Sequence, residues 1–346
     1  MTVHAPPHSL NVDAALMAAL RELTILSPYE YSFAGQSIRV AEQPSLAAGG
    51  TVSPQEAMLG ALQAQFYGSV YNRTFAGRTI PQAPSRLTNM TNELSRANPG
   101  RERWDHGWQV YQVMPNGVVQ AHKHGNAQMF YPGQYIPLGG TTGSQVSVQN
   151  GAIVSAYLAK ELRNFQDGFY VVLSENVQPF YEQTTLVRIY WHLRPEGAVP
   201  MVRELISRFN RFQVPFRFKC LAYPELYDRF DAGVLFVGRR QWDITALLVE
   251  ELYTKLVDYL KPEVPLFSKR LAPGLAFAED PGNGESFGTS RCRLIAEGVW
   301  TSYQRGVHTE SARLEHIVDA FVRAGIPPER PWLNPGSVDI YDVRVT

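Results

Sequence analysis

The sequence predicts an α+β protein, and three observations carry this prediction. Apolar residues recur at helical spacing within the first hundred residues. From residue 108 the apolar period changes to two, which is typical of strands. From residue 185 the patterns follow the order strand, helix, strand, strand and helix. We therefore expect a mostly helical region over 1–105, a small antiparallel β region over 106–184, and a C-terminal region over 185–346 with a mixed or antiparallel sheet flanked by helices.

The N-terminal region contains two helical patterns, over 12–26 and 53–75. The second begins with Ser53 as a helix N-cap, followed by Pro54, and Glu56 stands at the capping-box position. The polar stretch 87–108 contains a Pro-Gly break and is predicted to be a boundary or a mobile loop.

The middle region begins with two alternating runs on either side of Asn116-Gly117, which predicts a hairpin. His122 and His124 lie on one face of the second run and could together bind a metal. Because the sequence offers no third ligand nearby, we favour the interpretation that they mark a solvated strand end.

The C-terminal region is predicted to contain five elements in succession before a long connection. The connection covers 261–290, holds several prolines and glycines, and is predicted to be a functional loop. The elements are a strand at 185–194, a helix at 195–212, strands at 214–222 and 232–238, and a helix at 242–260.

Composition and charge exclude several classes of partner. Thirty-two basic residues balance 32 acidic ones in 346 residues, so broad electrostatic attachment to nucleic acid or to an anionic membrane is not expected. Cys220 and Cys292 are the two cysteines and form no CxxC or Cys/His spacing, which disfavours a disulfide framework or a structural zinc site. The N-terminus lacks a signal-peptide pattern, and we expect an unprocessed cytoplasmic protein.

Residues of the strand at 185–194 sort by parity into two different faces. Val187, Ile189, Trp191 and Leu193 make one face apolar. The other face carries Arg188, Tyr190, His192 and Arg194, with no acidic member. This composition predicts an anion-binding site.

The strand at 214–222 places Lys219 and Arg217 on one face, whereas Phe218 and Cys220 lie on the other. If both strands belong to one sheet with a helix on the apolar side, their basic residues point in the same direction. Neighbouring cations and partial burial lower the pKa of a lysine, which would make Lys219 a general base. The alternative interpretation is a lysine on an ordinary solvated strand face.

Arginines that bind phosphate, a base that removes a proton from carbon, and an acid beside the leaving oxygen together describe β-elimination of phosphate. The sequence contains no GxSxG, HExxH or Walker-type motif and no catalytic cysteine pattern. A phosphatase or another hydrolase is therefore a weaker hypothesis, since no nucleophile or metal set is visible.

Three segments resemble the HopA-type effector family: "GVLFV" at 233–237, "FSKRLAPGLAFAEDPGNGESFGTSRCRLIAEGV" at 267–299 and "ERWDHGWQVYQVMPNG" at 102–117. Members of that family occur as type III effectors and as stand-alone proteins in peptide natural-product pathways. Members in class V lanthipeptide and thioamitide pathways are assigned as lyases that act after a separate kinase-like protein. They turn phosphoserine or phosphothreonine of a precursor peptide into dehydroalanine or dehydrobutyrine.

A fainter similarity reaches the phosphothreonine lyases secreted by enteric pathogens, and it implies roles for individual residues. It implies that His192 is the general acid, that Lys219 is the general base and that Arg229 binds phosphate. Arg291 and Arg293, which follow the "LAPG" segment, match further arginines of that pattern.

One position departs from the pattern, because Tyr190 stands where those lyases have a basic residue. We expect Arg188, Arg217 and Tyr190 to contribute to phosphate binding as well.

The sequence and the resemblance together predict a phosphoserine/phosphothreonine lyase that needs no cofactor and no metal. Its expected partners are a phosphorylated precursor peptide and a kinase-like protein, and we expect neither nucleic acid nor a membrane as a partner. The protein would be secreted by a type III system only if it is an effector. The alternative is a non-catalytic effector or scaffold that binds a phosphorylated or acidic peptide or a host protein.

Overall fold

The computed structural model describes residues 14–40, 53–73, 86–138, 148–163, 165–177, 182 and 184–344. These residues form an α+β fold with three antiparallel sheets, which confirms the predicted class. None of the helices in these ranges combines the length and the apolar character that a membrane crossing requires. The α-helices of the described residues are α1 (Ala14–Arg21), α2 (Pro54–Phe66), α3 (Thr91–Ala97), α4 (Ala198–Arg211), α5 (Trp242–Leu256), α6 (Phe287–Gln304) and α7 (Glu310–Arg323).

The first sheet is a three-stranded meander that directly follows α1. The predicted helix over 12–26 is wrong beyond Arg21, because the β-branched pair Thr24 and Ile25 falls in a strand with alternating burial. The strands, in chain order, are β1 (Leu23–Ser27), β2 (Glu30–Phe33) and β3 (Gln36–Arg39).

Helix α2 begins with the predicted capping box. The Ser53 hydroxyl accepts a hydrogen bond from the Glu56 amide at 3.2 Å, and the Glu56 carboxylate accepts one from the Ser53 amide at 2.9 Å. The helix buries Met58, Leu62 and Phe66, and it continues into one π-helical turn, Tyr67–Tyr71. Single π-turns of this kind are frequent at functional sites.

The second sheet has five strands in the order β6-β5-β4-β8-β7. The predicted hairpin at Asn116-Gly117 is confirmed, since it joins β4 and β5, the first two strands of this sheet in chain order. Gly117 has a φ of +78°. The predicted loop over 87–108 is wrong, because α3 and the start of the first strand lie within it. The strands are β4 (Arg103–Val113), β5 (Val119–Lys123), β6 (Asn126–Phe130), β7 (Tyr135–Pro137) and β8 (Ile153–Leu158).

His122 and His124 are both exposed at the end of β5. The His122 ring stacks on Tyr111 with 5.9 Å between ring centroids. The described part of the chain holds no group of three side chains that could bind a metal ion. This arrangement agrees with a solvated strand end.

The third sheet has seven strands in the order β14-β15-β11-β13-β12-β10-β9, and all its neighbours are antiparallel. The predicted strands at 185–194, 214–222 and 232–238 are confirmed, and the last lies between the other two. Two further strands come from the region before residue 185. The strands are β9 (Glu161–Leu162), β10 (Phe169–Leu173), β11 (Leu186–Trp191), β12 (Phe216–Leu221), β13 (Gly233–Gly238), β14 (Lys269–Ala272) and β15 (Leu275–Glu279).

The long connection at 261–290 is a structured part of this sheet, so its prediction as a loop was wrong. It contains the hairpin β14–β15, which turns at Pro273 and Gly274. Gly274 has a φ of +72°, and a Cβ at this position would lie 2.2 Å from the Lys261 carbonyl oxygen. The turn therefore requires glycine, and the many prolines and glycines mark sharp bends in an ordered segment.

Both faces of the seven-stranded sheet are covered by helices. One face packs on α4 and α5 through side chains such as Ile189, Phe218 and Leu235. The other packs on α2, α6 and α7 through Tyr190 and Phe236, among others. The basic residues of β11 and β12 belong to this second face.

Helices α6 and α7 cross at very close range, and Gly298 makes the approach possible. A Cβ at Gly298 would lie 2.5 Å from the backbone nitrogen and the Cα of Ile317. We expect Gly298→Ala to lower the free energy of unfolding by about 1–3 kcal/mol, because the helix backbones must separate. Chemical denaturation of the purified chain measures this change.

The matched control is Gly60→Ala on the exposed side of α2, where a Cβ would meet no atom within 4 Å. This change should raise the free energy of unfolding by roughly 0.5–1 kcal/mol, since alanine favours a helix over glycine. Equal effects of the two substitutions would contradict the packing argument.

Candidate anion-binding site

Basic side chains of β11 and β12 lie on one face of the seven-stranded sheet, as the strand parity predicts. The register pairs Lys219 with Val234 and Val234 with Tyr190, so these three side chains point in one direction. In the next row Arg217 pairs with Phe236, which pairs with Arg188. Strand β13 therefore separates the two basic strands and inserts apolar side chains between them.

Burial decreases across this face from β11 to β12. Arg188 and Tyr190 are only 9% and 2% exposed, because the helical layer covers them. Arg217 and Lys219 are partly exposed, as is Arg229 in the loop before β13. A ligand would therefore enter over β12, at the edge of the helical layer.

The Lys219 amine lies in a mixed aromatic and polar environment. Its Nζ donates to Gln166 Oε1 at 3.1 Å and sits 4.4 Å from the centre of the Phe169 ring. Burial lowers the pKa of Lys219 to about 8; Asp231 opposes the change, whereas Arg188, Arg229 and Arg217 add to it. A substantial fraction of this amine is therefore neutral near pH 8 and able to accept a proton.

Arg229 is oriented by an aspartate two residues later. Its Nε and Nη2 each donate to the Asp231 carboxylate at 2.8 Å. Asp231 itself is buried, whereas the Arg229 side chain remains 21% exposed. Because this bond uses only the Nε–Nη2 edge of the guanidinium, the Nη1 hydrogens stay available for an anion.

Arg188 repeats this geometry with a different carboxylate. Its Nε donates to Asp280 at 2.7 Å and its Nη2 lies 2.6 Å from the same oxygen. The guanidinium also sits 5.1 Å from the centre of the Phe236 ring.

The guanidinium of Arg217 lies 4.6 Å from the same Phe236 ring and forms no ion pair with any residue described. Burial and then Arg188 lower the pKa of Arg217. Arg217 is thus a cation without a carboxylate partner in the described structure, and anion binding would supply one.

His192 lies apart from these cations. Two strand spacings of about 4.8 Å, plus two residues of about 3.4 Å along β11, separate its Cα from that of Lys219 by roughly 12 Å. Its ring contacts Phe230 edge-on at 5.0 Å, and Nδ1 lies 3.1 Å from the Glu263 carbonyl oxygen. The two predicted catalytic residues therefore share a sheet face without sharing a contact.

The His192 imidazole is neutral in this environment. Burial lowers the pKa of His192 to about 4. The positive charges of Lys261 and Arg194 lower this pKa further, whereas Glu263 raises it. Because the Glu263 carbonyl can only accept, Nδ1 carries the proton and Nε2 has a bare lone pair. Nε2 is buried and has no partner among the described residues.

The two arginines of α6 are placed differently from each other. Arg291 is 1% exposed, and burial lowers its pKa to about 10. Its Nε donates to the Pro331 carbonyl at 2.7 Å, and its Nη2 donates to the Leu333 carbonyl at 2.9 Å. Arg293 is bonded to Glu297 at 2.7 Å on the partly exposed side of the helix. Arg291 thus holds the C-terminal segment in place, and the structure does not bring either arginine into contact with Lys219.

Tyrosines from the N-terminal region reach the same site, which the sequence did not predict. The Tyr67 hydroxyl lies 3.4 Å from Asp231 Oδ2, and its ring stacks on Tyr71 at 5.2 Å. The Tyr190 hydroxyl is buried, and Tyr71 and Arg188 are its polar neighbours. Tyr67 and Tyr71 are four residues apart, but helical spacing alone does not reveal a contact more than 150 residues away.

The fold and the site define a class of protein: an α+β protein with a cationic site on a helix-covered sheet. The family model of the HopA1 effector protein family matches residues 161–333, which is half of the 346-residue chain. The chain therefore belongs to the HopA1 effector protein family. Its matched segment includes every residue of the predicted site and excludes Tyr67 and Tyr71.

Solved structures that are similar to this chain include two effector proteins. One is an effector protein from Pseudomonas syringae pv. tomato strain DC3000, with 15% identity, a TM-score of 0.44, and coverage of 83% of this chain and 92% of that one. The other is an effector protein from Pseudomonas syringae pv. syringae strain 61, with 18% identity, a TM-score of 0.35, and coverage of 48% and 63%. Among curated proteins, none matches the chain.

The pKa of Lys219 can be measured without any substrate. We expect NMR of the lysine Nζ groups to show one midpoint near pH 8, assigned by its loss in Lys219→Arg. Arg217→Gln should raise this midpoint, because it removes a positive neighbour. Asp231→Asn should lower it, because it removes a negative one.

Lys255, an exposed lysine of α5 bonded to Glu204, offers the control Lys255→Met, which should leave the Lys219 midpoint unchanged. A Lys219 midpoint near 10.5, the ordinary value for a lysine, would show that the site does not alter this amine.

Proposed function

We propose that the protein is a lyase that eliminates phosphate from phosphoserine or phosphothreonine of a ribosomal precursor peptide. The observation that carries the proposal is the position of Lys219, an amine with a lowered pKa among Arg188, Arg217 and Arg229 on one sheet face. Membership of the HopA1 effector protein family is consistent with the resemblance to lyases of lanthipeptide pathways. The kinase-like protein that phosphorylates the peptide would act before this chain.

The proposed chemistry is a β-elimination. The Lys219 amine takes the α-proton, the electron pair of the Cα–H bond forms the Cα=Cβ double bond, and the Cβ–O bond breaks. The phosphate leaves with the bridging oxygen, which takes up one proton. The arginines stabilise the charge that develops on this phosphate, and the Nη1 group of Arg229, which the bond to Asp231 does not use, is suited to its oxygens.

The role proposed for His192 is to donate a proton to the leaving oxygen. In the free chain its imidazole is neutral and cannot donate from Nε2. A phosphate dianion beside Nε2 would raise the pKa of the ring and protonate it. His192 would thus become an acid only after substrate has bound, and substrate binding would also have to bring it closer to Lys219.

A second candidate function is phosphopeptide or acidic-peptide binding without chemistry. The state of His192 favours it, because its imidazole is neutral in the free chain and carries its proton on Nδ1, so Nε2 has none to donate. In that case the arginines would bind the peptide in an effector or scaffold, and Lys219 would be one further cation.

The two functions differ in the effect of Lys219→Met, which keeps the apolar stem beside Phe169 and removes the amine. For a lyase we expect loss of turnover by at least about 100-fold with retained binding of the phosphorylated precursor peptide. Mass spectrometry detects turnover as loss of phosphoric acid from the peptide. In the unchanged chain, kcat/KM should rise with pH through 8, where half of the amine is neutral, and level off above it, because the neutral amine is the base.

Lys255→Met removes a lysine from the surface of α5 and should leave turnover unchanged. His192→Asn should reduce turnover while preserving the bond to Glu263, because the Asn amide nitrogen takes the position of Nδ1. Binding of the phosphopeptide without loss of phosphoric acid by the unchanged chain would instead support the second candidate function.

The outward face of the five-stranded sheet is our proposed surface for the precursor peptide's leader. Strand pairing places Trp104, Met129, Ile136 and Ile153 on this face, and all four are exposed. Exposed apolar side chains grouped on one sheet face are suited to an interaction site. The kinase-like protein is the alternative occupant.

We expect Ile136→Glu to weaken binding of the precursor peptide by about tenfold or more, since it places a charge in an apolar contact. Fluorescence anisotropy with a labelled leader peptide measures this change. Leu247→Glu, at an equally exposed leucine of α5, is the control and should bind normally. Normal leader binding by Ile136→Glu, together with a lost complex with the kinase-like protein, would assign the face to that partner.

A further inference from the structure

The π-helical turn Tyr67–Tyr71 is fastened to the segment that carries Arg229. The Phe230 amide donates to the Asn72 carbonyl at 2.8 Å. Arg73 forms a two-point ion pair with Asp228, at 2.9 and 3.1 Å. The turn and the segment around Arg229 therefore hold a fixed position relative to each other.

Tyr67 is the residue of this turn that lies between the open and the buried part of the site. It is half-buried, whereas Tyr71 and Tyr190 are 1% and 2% exposed. Stacking on Tyr71, with an angle of 23° between the ring planes, sets its orientation. The hydroxyl points at Asp231, the carboxylate that orients Arg229.

The Tyr67 hydroxyl is only weakly engaged in its present bond. Its distance of 3.4 Å to Asp231 is well beyond the usual length of about 2.7–2.8 Å for a hydroxyl donor. Asp231 already accepts two shorter bonds from Arg229, so it does not depend on Tyr67. The hydroxyl can therefore turn to an anion at Arg229 at little cost.

The Tyr67 hydroxyl also lies beside Arg229 itself, because the two side chains interact directly. Tyr71 and Tyr190 form the buried floor behind it and are polar neighbours of each other. An anion held by Arg229 would therefore lie next to the Tyr67 hydroxyl.

We infer that Tyr67 is a ligand-contacting residue of this site, whose hydroxyl donates a hydrogen bond to an oxygen of the phosphate ester held by Arg229. This inference rests on the proposed binding of a phosphorylated side chain. It makes the N-terminal region part of the phosphate site itself, in addition to any partner it binds.

Glycine at position 288 is needed for this arrangement. A Cβ there would lie 2.7 Å from Tyr67 Cε2 and 2.3 Å from Tyr71 Cε1. Gly288→Ala therefore displaces both rings without removing a hydroxyl, and it provides a second way to disturb Tyr67 from a different element.

The test is titration of the full chain with inorganic phosphate, followed by calorimetry. Tyr67→Phe keeps the stacked ring and removes the hydroxyl, and we expect it to weaken phosphate binding about tenfold, as for a lost hydrogen bond to a charged group. Gly288→Ala should weaken it as well, and Arg229→Gln should abolish it. Thermal unfolding of each variant verifies that it is folded.

Tyr31→Phe is the matched control. It removes a hydroxyl from the same N-terminal region, where Tyr31 donates to Gln65 at 3.2 Å and borders a separate cleft. Phosphate binding by this variant should equal that of the unchanged chain.

Two results would overturn the inference in distinguishable ways. Unchanged phosphate affinity in folded Tyr67→Phe, with binding abolished by Arg229→Gln, refutes the role of Tyr67 and leaves the proposed function intact. Failure of the unchanged chain to bind phosphate refutes both.

Discussion

Burial of both faces of the seven-stranded sheet is the constraint on which the site depends. A sheet covered on both sides has no solvated face for charged side chains. Each cation on it must therefore pair with an anion or lie where the helical layer ends. Arg188 lies under the helices and is compensated by Asp280. Arg217 and Lys219 lie where the helical layer ends and keep contact with solvent. The gradient of burial thus creates a site that is open at β12 and closed at β11.

Asp280 and Asp231 stabilise the arginines of the site and leave space for an anion. Arg188 and Arg229 each turn the Nε–Nη2 edge to a carboxylate, which fixes the plane of the guanidinium. The remaining edge points away from the carboxylate, so an anion can bind without displacing it. Net positive charge persists because Arg217 and Lys219 have no carboxylate partner in the described structure. Burial is the main cause of the lowered pKa of Lys219, and the neighbouring arginines add to it while Asp231 opposes it.

Strand parity was sufficient to place Lys219 and Arg217 on the face shared with Arg188, because alternation is a local property of the chain. The position of β13 between β11 and β12 could not be predicted from parity, since long-range packing determines which strands pair. The same limit applies to Arg291, whose partners are carbonyls of residues 331 and 333. The connection at 261–290 was misjudged because its prolines and glycines resemble those of a loop, although Gly274 serves a tight hairpin.

The contribution of the N-terminal region follows from the same geometry. The helices that close the second sheet face include α2, and its π-turn ends at the boundary between the covered and the open part of that face. A side chain at this boundary can contact both the buried floor and an entering ligand, and Tyr67 occupies this position. The segment that matches the family begins only at residue 161, so the cations and the tyrosine that faces them come from separate parts of the chain. In the proposed arrangement, the Tyr67 contact links anion binding to the folding of the N-terminal region.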